Sequence, residues 1–122
     1  MIKYNKKIAQ EVIDHWAENL FLAYAHQLNY EDILATKCAF CKAAYQDCRK
    51  CPICCFPIMG ARMYCKYTPF SFIDDSVNTY PDTRKNWKRI IKYVTQELNF
   101  LQEVCDGWKN HTVYGIGDET VS

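Results

Sequence analysis

Trp87-Lys88-Arg89-Ile90-Ile91-Lys92-Tyr93-Val94-Thr95-Gln96-Glu97-Leu98-Asn99-Phe100-Leu101-Gln102-Glu103-Val104-Cys105-Asp106-Gly107-Trp108 is the stretch that decides the fold. Trp87, Ile91, Val94, Leu98, Leu101, Cys105 and Trp108 recur in alternating steps of four and three, and Ile90 widens the row. A seam with that spacing belongs to a helix that packs against another helix. Pro81 and Asp82 read as its first turn, because proline suits the first helical position and an early carboxylate suits the positive helix end. Gly107 is expected to end or fray it, leaving 109–122 as a polar, mobile tail with Gly115 and Gly117.

The partner helix lies near the other end of the chain. Across residues 5–28, Ile8, Val12, Trp16, Leu20, Tyr24 and Leu28 recur at i+4, with Ile13 and Ala23 beside them. No proline or glycine interrupts this segment, so an amphipathic helix of about six turns is expected. Asn29 is its expected end, and 30–36 holds room for one further helical turn. Between the two long helices, Pro52, Pro57, Gly60 and Pro69 break any sustained period. A short helix over 42–47 and an extended Ser71-Phe72-Ile73 are the local expectations there. The fold class is therefore mainly α: long N-terminal and C-terminal helices packed together, with a loop-rich four-cysteine zinc-binding segment between them. One domain over 1–108 is expected, with the metal segment at 37–70.

Composition bounds the class. The chain has 122 residues, 49% of them apolar, and eight cysteines. It can bury a core, which excludes a disordered tail or a fibre. The N-terminus carries no apolar run with a small-residue cleavage site, and no stretch approaches the ~18 apolar residues of a membrane span. A cytoplasmic protein with no membrane partner is expected, where clustered cysteines serve metal ions more often than disulfides.

Seven of the eight cysteines are Cys38, Cys41, Cys48, Cys51, Cys54, Cys55 and Cys65; Cys105 stands apart on the helical seam as a small core residue. Cys38-Ala39-Phe40-Cys41 and Cys48-Arg49-Lys50-Cys51 are two C-x2-C pairs. Such a turn aims two thiolates at one point about 2.3 Å from a zinc ion. Two pairs followed by Cys65 predict one structural zinc ion with four thiolate ligands. Five cysteines compete for the four positions: the first pair leads, Cys51 and Cys65 follow, and Cys48 is the spare. An iron–sulfur cluster and a set of free thiols are the competing readings.

The string Cys38-x-Phe40-Cys41, then Cys48-x2-Cys51-Pro52-Ile53, then Cys65-x2-Thr68-Pro69-Phe70 resembles a group of small cysteine-rich proteins from phage and prophage genomes. The helix around His15-Trp16-Ala17-Glu18-Asn19 and the later Trp87 helix fit the same pattern. The added Cys54 and Cys55 and the long spacer before Cys65 depart from it. In size and context such a protein is similar to type II anti-CRISPR proteins, small inhibitors of the Cas9 nuclease. That resemblance implies a non-enzymatic protein that binds and inhibits a host protein.

Nothing in the residues argues for catalysis. No nucleophile elbow, metalloprotease helix or phosphate-binding glycine loop is present. His15, His26 and His111 are scattered, and the adjacent Asp74 and Asp75 do not converge on one substrate. A zinc ion closed by four thiolates keeps no open position for hydrolysis. Trp16, Trp87 and Trp108 read as core, and Tyr64, Tyr67, Phe70 and Phe72 as aromatic cover near Cys65.

Charge is more informative than its near-zero sum of +1. Residues 8–36 hold five acids (Glu11, Asp14, Glu18, Glu31, Asp32) and no Lys or Arg; residues 37–92 hold eleven basic residues against four acids. Lys37, Lys42, Arg49, Lys50 and Lys66 surround the cysteines and offset the charge of a thiolate site. Arg84, Lys85, Lys88, Arg89 and Lys92 remain, where they oppose the helix dipole. They are the expected partner-binding residues, for a host protein that handles nucleic acid or for DNA or RNA directly in a small regulator.

Overall fold

The computed structural model describes residues 2–34, 37–45, 50–55, 72–73, 75–77 and 83–113. Among them the chain is mainly helical, with no strand. α1 spans Lys6–Tyr24, a 3-10 turn spans Tyr30–Ile33, and α2 and α3 span Ala39–Ala43 and Pro52–Cys55. α4 spans Arg84–Val113. No helix among the described residues is long and apolar enough to cross a membrane.

α1 starts at Asn5, whose Oδ1 accepts hydrogen bonds from the amides of Lys7 (2.9 Å) and Ile8 (3.2 Å). Such a cap satisfies two of the donors a helix leaves open, at about 1 kcal/mol. The helix ends earlier than its apolar period suggests. Gln27 N–H reaches back to the Leu22 carbonyl at 2.8 Å and His26 N–H to Ala23 at 3.1 Å, closing the last turn. This closure places His26 in the left-handed region at φ 57°, where glycine is usual. Its ring lies flat on Trp87, with centroids 4.9 Å apart and planes 5° from parallel. Asn29 then caps the 3-10 turn reciprocally: its Oδ1 accepts from Glu31 N–H, and its own N–H donates to Asp32 Oδ2 at 3.0 Å.

The two long helices pack on each other, as expected from their seams, and run antiparallel. At one end His26 meets Trp87; at the other the Cys105 thiol donates to the Ala9 carbonyl (3.9 Å) and Trp108 Nε1 donates to the Ile2 carbonyl (2.8 Å). Ile2 N–H also donates to the Lys50 carbonyl at 3.0 Å, so the N-terminal segment ties the cysteine region to α4. Trp16, Trp87 and Trp108 are all buried.

The buried rows differ in detail from the sequence reading. On α1 the core face is Ala9, Val12, Trp16, Asn19 and Ala23, while Tyr24 is exposed and Ile8 and Leu20 are half-buried. Successive i+4 steps turn 400° rather than 360°, so a row that never takes a three-residue step drifts off the contact face. On α4, Ile91 and Leu98 sit at the half-buried flank, and Ile90, Glu97, Phe100 and Val104 join the core. α4 also runs through Gly107 to Val113, so 109–113 is helix rather than tail. Its first turn holds no acid; Thr83 Oγ1 caps it by accepting from Asn86 N–H at 3.1 Å. Pro81 and Asp82 lie outside the described residues, as does the tail from 114. Phe72 and Ile73 are helical instead of extended. Buried Asn86 holds the neighbouring 75–77 segment, donating from Nδ2 to the Ser76 carbonyl at 3.0 Å.

Asn19 is only 1% exposed, and its Nδ2 lies 3.4 Å from both the Asp32 carbonyl and His15 Nε2. Desolvation by burial lowers the His15 pKa below 6.5, opposed by the Asp32 backbone and nearby carboxylates. Unfolding exposes the ring and restores the ordinary value, so the unfolded chain takes up the proton first as pH falls. Stability supplied by the neutral ring is complete above 6.5 and declines below it. In urea titrations the loss of stability below that pH should be shallower for His15→Gln than for the parent.

Candidate metal centre and cationic face

The first C-x2-C pair starts α2, with Cys38 at its N-cap and Cys41 within it; the helix ends at Ala43, and 46–47 of the expected 42–47 helix lie outside the described residues. Cys38 is the N-cap residue in extended conformation (φ −82°, ψ 124°), and its carbonyl accepts from Lys42 N–H at 3.1 Å. Ala39 and Phe40, between the two cysteines, are buried. Phe40 meets the edge of Trp108 at 5.5 Å between centroids, nearly perpendicular at 83°. That plug fixes α2 on the core and leaves Cys38 and Cys41, three residues apart on one side of the turn, half-buried at its rim. The left-handed Tyr45 (φ 53°) follows, and its N–H reaches the Lys42 carbonyl at 3.2 Å.

Burial pushes the Cys38 thiol up from its ordinary value, opposed by the amides of Cys41 and Phe40. Those amides favour the thiolate, although no side-chain hydrogen bond caps α2. The nearby Cys41 and Glu97 charges push it further up. Metal-free Cys38 is thus a thiol, and a cation bound there must displace its proton. The donor chemistry fits zinc: two sulfurs on one turn, backbone amides beside one of them, and a packed platform beneath.

Cys51 is buried immediately before α3, whose Pro52 stands at the first helical position and whose Ile53 enters the core. Cys48 and Cys65 lie outside the described residues, together with Arg49, Tyr64, Lys66, Tyr67 and Phe70. Among the described residues no three of His, Cys, Asp and Glu come together as a set that could hold a metal ion. Lys37, Lys42 and Lys50 are exposed around this region. Cys105 is a core thiol: burial, then the charges of Asp106 and Cys38, push its pKa up to about 12.

Glu97 escaped the sequence reading. It is 3% exposed, in a helical row with Val94 and Leu101, and acts electrostatically on Cys38. The signal was present as a carboxylate three residues after Val94 and four before Leu101, inside the apolar seam.

The five cations of 84–92 all lie on α4. Arg84, Lys85, Lys88 and Lys92 are exposed and Arg89 is half-buried, on the first turns of α4. No acid occurs between 83 and 96. An aromatic platform borders them: exposed Phe72 stacks on Tyr93 at 4.9 Å, with Lys92 Nζ 5.8 Å from the Tyr93 centroid. The acids of 8–36 lie elsewhere, with Glu11, Asp14 and Glu18 exposed on α1 and Glu31 exposed on the 3-10 turn. His26 is exposed and His15 half-buried.

No protein-family model, curated protein or solved structure matches the chain.

Proposed function

We propose that this chain is a non-enzymatic helical binding protein, stapled by one zinc ion through its cysteine segment, that docks on an anionic surface of a partner protein. The observation that carries this reading is the cationic row on α4. Cations in the first turn of a helix oppose its dipole by a few tenths of a kcal/mol each, and Arg84 and Lys85 stand there. Lys88, Arg89 and Lys92 follow at like-charge spacings of three and four, which also work against helix stability. An anionic partner compensates for that cost. Zinc would be held by Cys38 and Cys41 with two of Cys48, Cys51 and Cys65, and its role is to fix the segment to the helical core. The phage-like motif pattern makes a host nuclease of the Cas type the first partner to test, with inhibition as the outcome.

Lys88→Glu with Lys92→Glu should reduce partner capture from a host lysate, and inhibition of target-DNA cleavage, by about tenfold or more. Both residues are exposed, so the fold should be kept. Unchanged capture would remove the reading. The stacked Phe72–Tyr93 pair beside Lys92 favours a second one, in which phosphates sit on the lysines and a base stacks on the ring. A salt-sensitive gel shift, abolished by the same variants, would establish that alternative.

A further inference from the structure

α1 carries a second apolar row on the side away from the core. At 100° per residue, Ala17, Phe21 and Tyr24 fall within an arc of about 60°, turned about 140° from Val12, Trp16 and Asn19, while Ile13 and Leu20 lie between the two rows and pack against the core. Phe21 is 70% exposed and Tyr24 65%, Ala17 is exposed, and Ile13 and Leu20 are half-buried at the edge of the row. Large apolar side chains fixed next to each other on a rigid helix and left in water mark an interaction surface. One long edge of the row is acidic: Glu11, Asp14 and Glu18 are all exposed there. Lys7, four residues before Glu11, stands at the N-terminal end of this edge, and no Lys or Arg follows from 8 to 36.

We infer that this face of α1 is a second docking surface, and that it takes a basic amphipathic helix of a partner protein. The spacing of Ala17, Phe21 and Tyr24 in steps of four and three is that of a helix–helix seam, so a helix is the matching shape. Phe21 and Tyr24 supply the anchors, and the acidic edge selects a helix whose flanking positions are Lys or Arg. A second copy of this chain fits less well, because its cationic run of 84–92 stands on α4, whose apolar face is already occupied by the core. The inference goes beyond the α4 reading and does not depend on it.

The test titrates full-length protein with a labelled synthetic helix that has a leucine seam flanked by lysine and arginine. The same seam flanked by glutamate serves as comparison. The basic helix should bind and the acidic one should not. Phe21→Ser with Tyr24→Ser should weaken the basic helix by about tenfold or more. Both residues are exposed, so the melting temperature should hold and separate lost docking from lost fold. Asp14→Lys with Glu18→Lys should reverse the preference between the two peptides. Lys88→Glu with Lys92→Glu should leave it intact, so that failure of the α4 reading is scored independently. Equal binding of both peptides, indifference to the α1 variants, or sensitivity to the α4 variants instead would overturn the proposal. So would a dimer in sedimentation that disperses in the Phe21/Tyr24 variant, which would assign the face to a second copy.

Discussion

Trp108→Ala should lower the unfolding free energy by about 3–5 kcal/mol, the cost of truncating a large aromatic in a packed core. The indole is fully buried and joins three parts of the chain at once. Tyr4 meets it edge-on at 5.0 Å, Phe40 from α2 meets it at 5.5 Å, and its Nε1 donates to the Ile2 carbonyl at 2.8 Å. Truncation opens a cavity, removes two aromatic pairs and leaves the part-buried Ile2 carbonyl without its donor. Domains of this size hold about 5–15 kcal/mol in total, so the variant should be partly unfolded at moderate temperature. Urea denaturation followed by circular dichroism reads the loss. Trp108→Phe keeps most of the ring and should lose less. Equal loss in the two variants would assign the stabilisation to the N–H bond, and no loss in either would contradict the packing described.

Cys38→Ser and Cys41→Ser should each abolish stoichiometric zinc binding and lower the melting temperature, while Cys105→Ser leaves the zinc content unchanged. Zinc in small thiolate sites carries an apparent binding free energy of about 10–16 kcal/mol, and part of it becomes folding free energy wherever the site organises the chain. Here α1 and α4 pack directly on each other, with Phe40 plugged beneath the cysteine pair. Removing the metal should therefore loosen the cysteine region first and spare the long helices. Metal analysis of freshly reduced protein, paired with far-UV circular dichroism before and after chelation, separates the two. Substoichiometric zinc in the parent protein would remove the metal from the proposal. Wholesale loss of helix on chelation would show that the core depends on it.

The order of these effects reflects where the chain's information is local and where it is not. Caps and seams are short-range: Asn5 capping α1, the four–three spacing from Trp87 to Trp108, and the burial of all three tryptophans follow from residues within a turn or two. The exact contact face was less legible. Asn19 and Glu97 fill core positions that hydrophobicity alone assigns to solvent. Asn19 tolerates this because His15, one turn back on the same helix, and the Asp32 carbonyl stand near its amide, the second contact made only after the chain turns at His26. Gly107 reads as a stop, yet its neighbours Cys105 and Trp108 are fastened to Ala9 and Ile2, almost a whole chain away. Tertiary hydrogen bonds and packing offset the ~1 kcal/mol that a glycine costs a helix.

The candidate sites divide in the same way. The C-x2-C spacing and the five cations of 84–92 are local patterns, legible because a single turn or helix face carries each. That α2 forms on Cys38 itself, pinned through Phe40 to Trp108, required α4 to be in place. The exposed Phe21 and Tyr24 could be recognised only once Val12, Trp16 and Ala23 had claimed the opposite side of α1. By itself the sequence determined that two amphipathic helices pair, that the cysteines cluster between them and that charge is segregated, since each follows from periodicity or composition. Which side of each helix meets the other, and which residues are left to face a partner, was decided by the tertiary structure, because burial is a property of the packed pair and not of either helix alone.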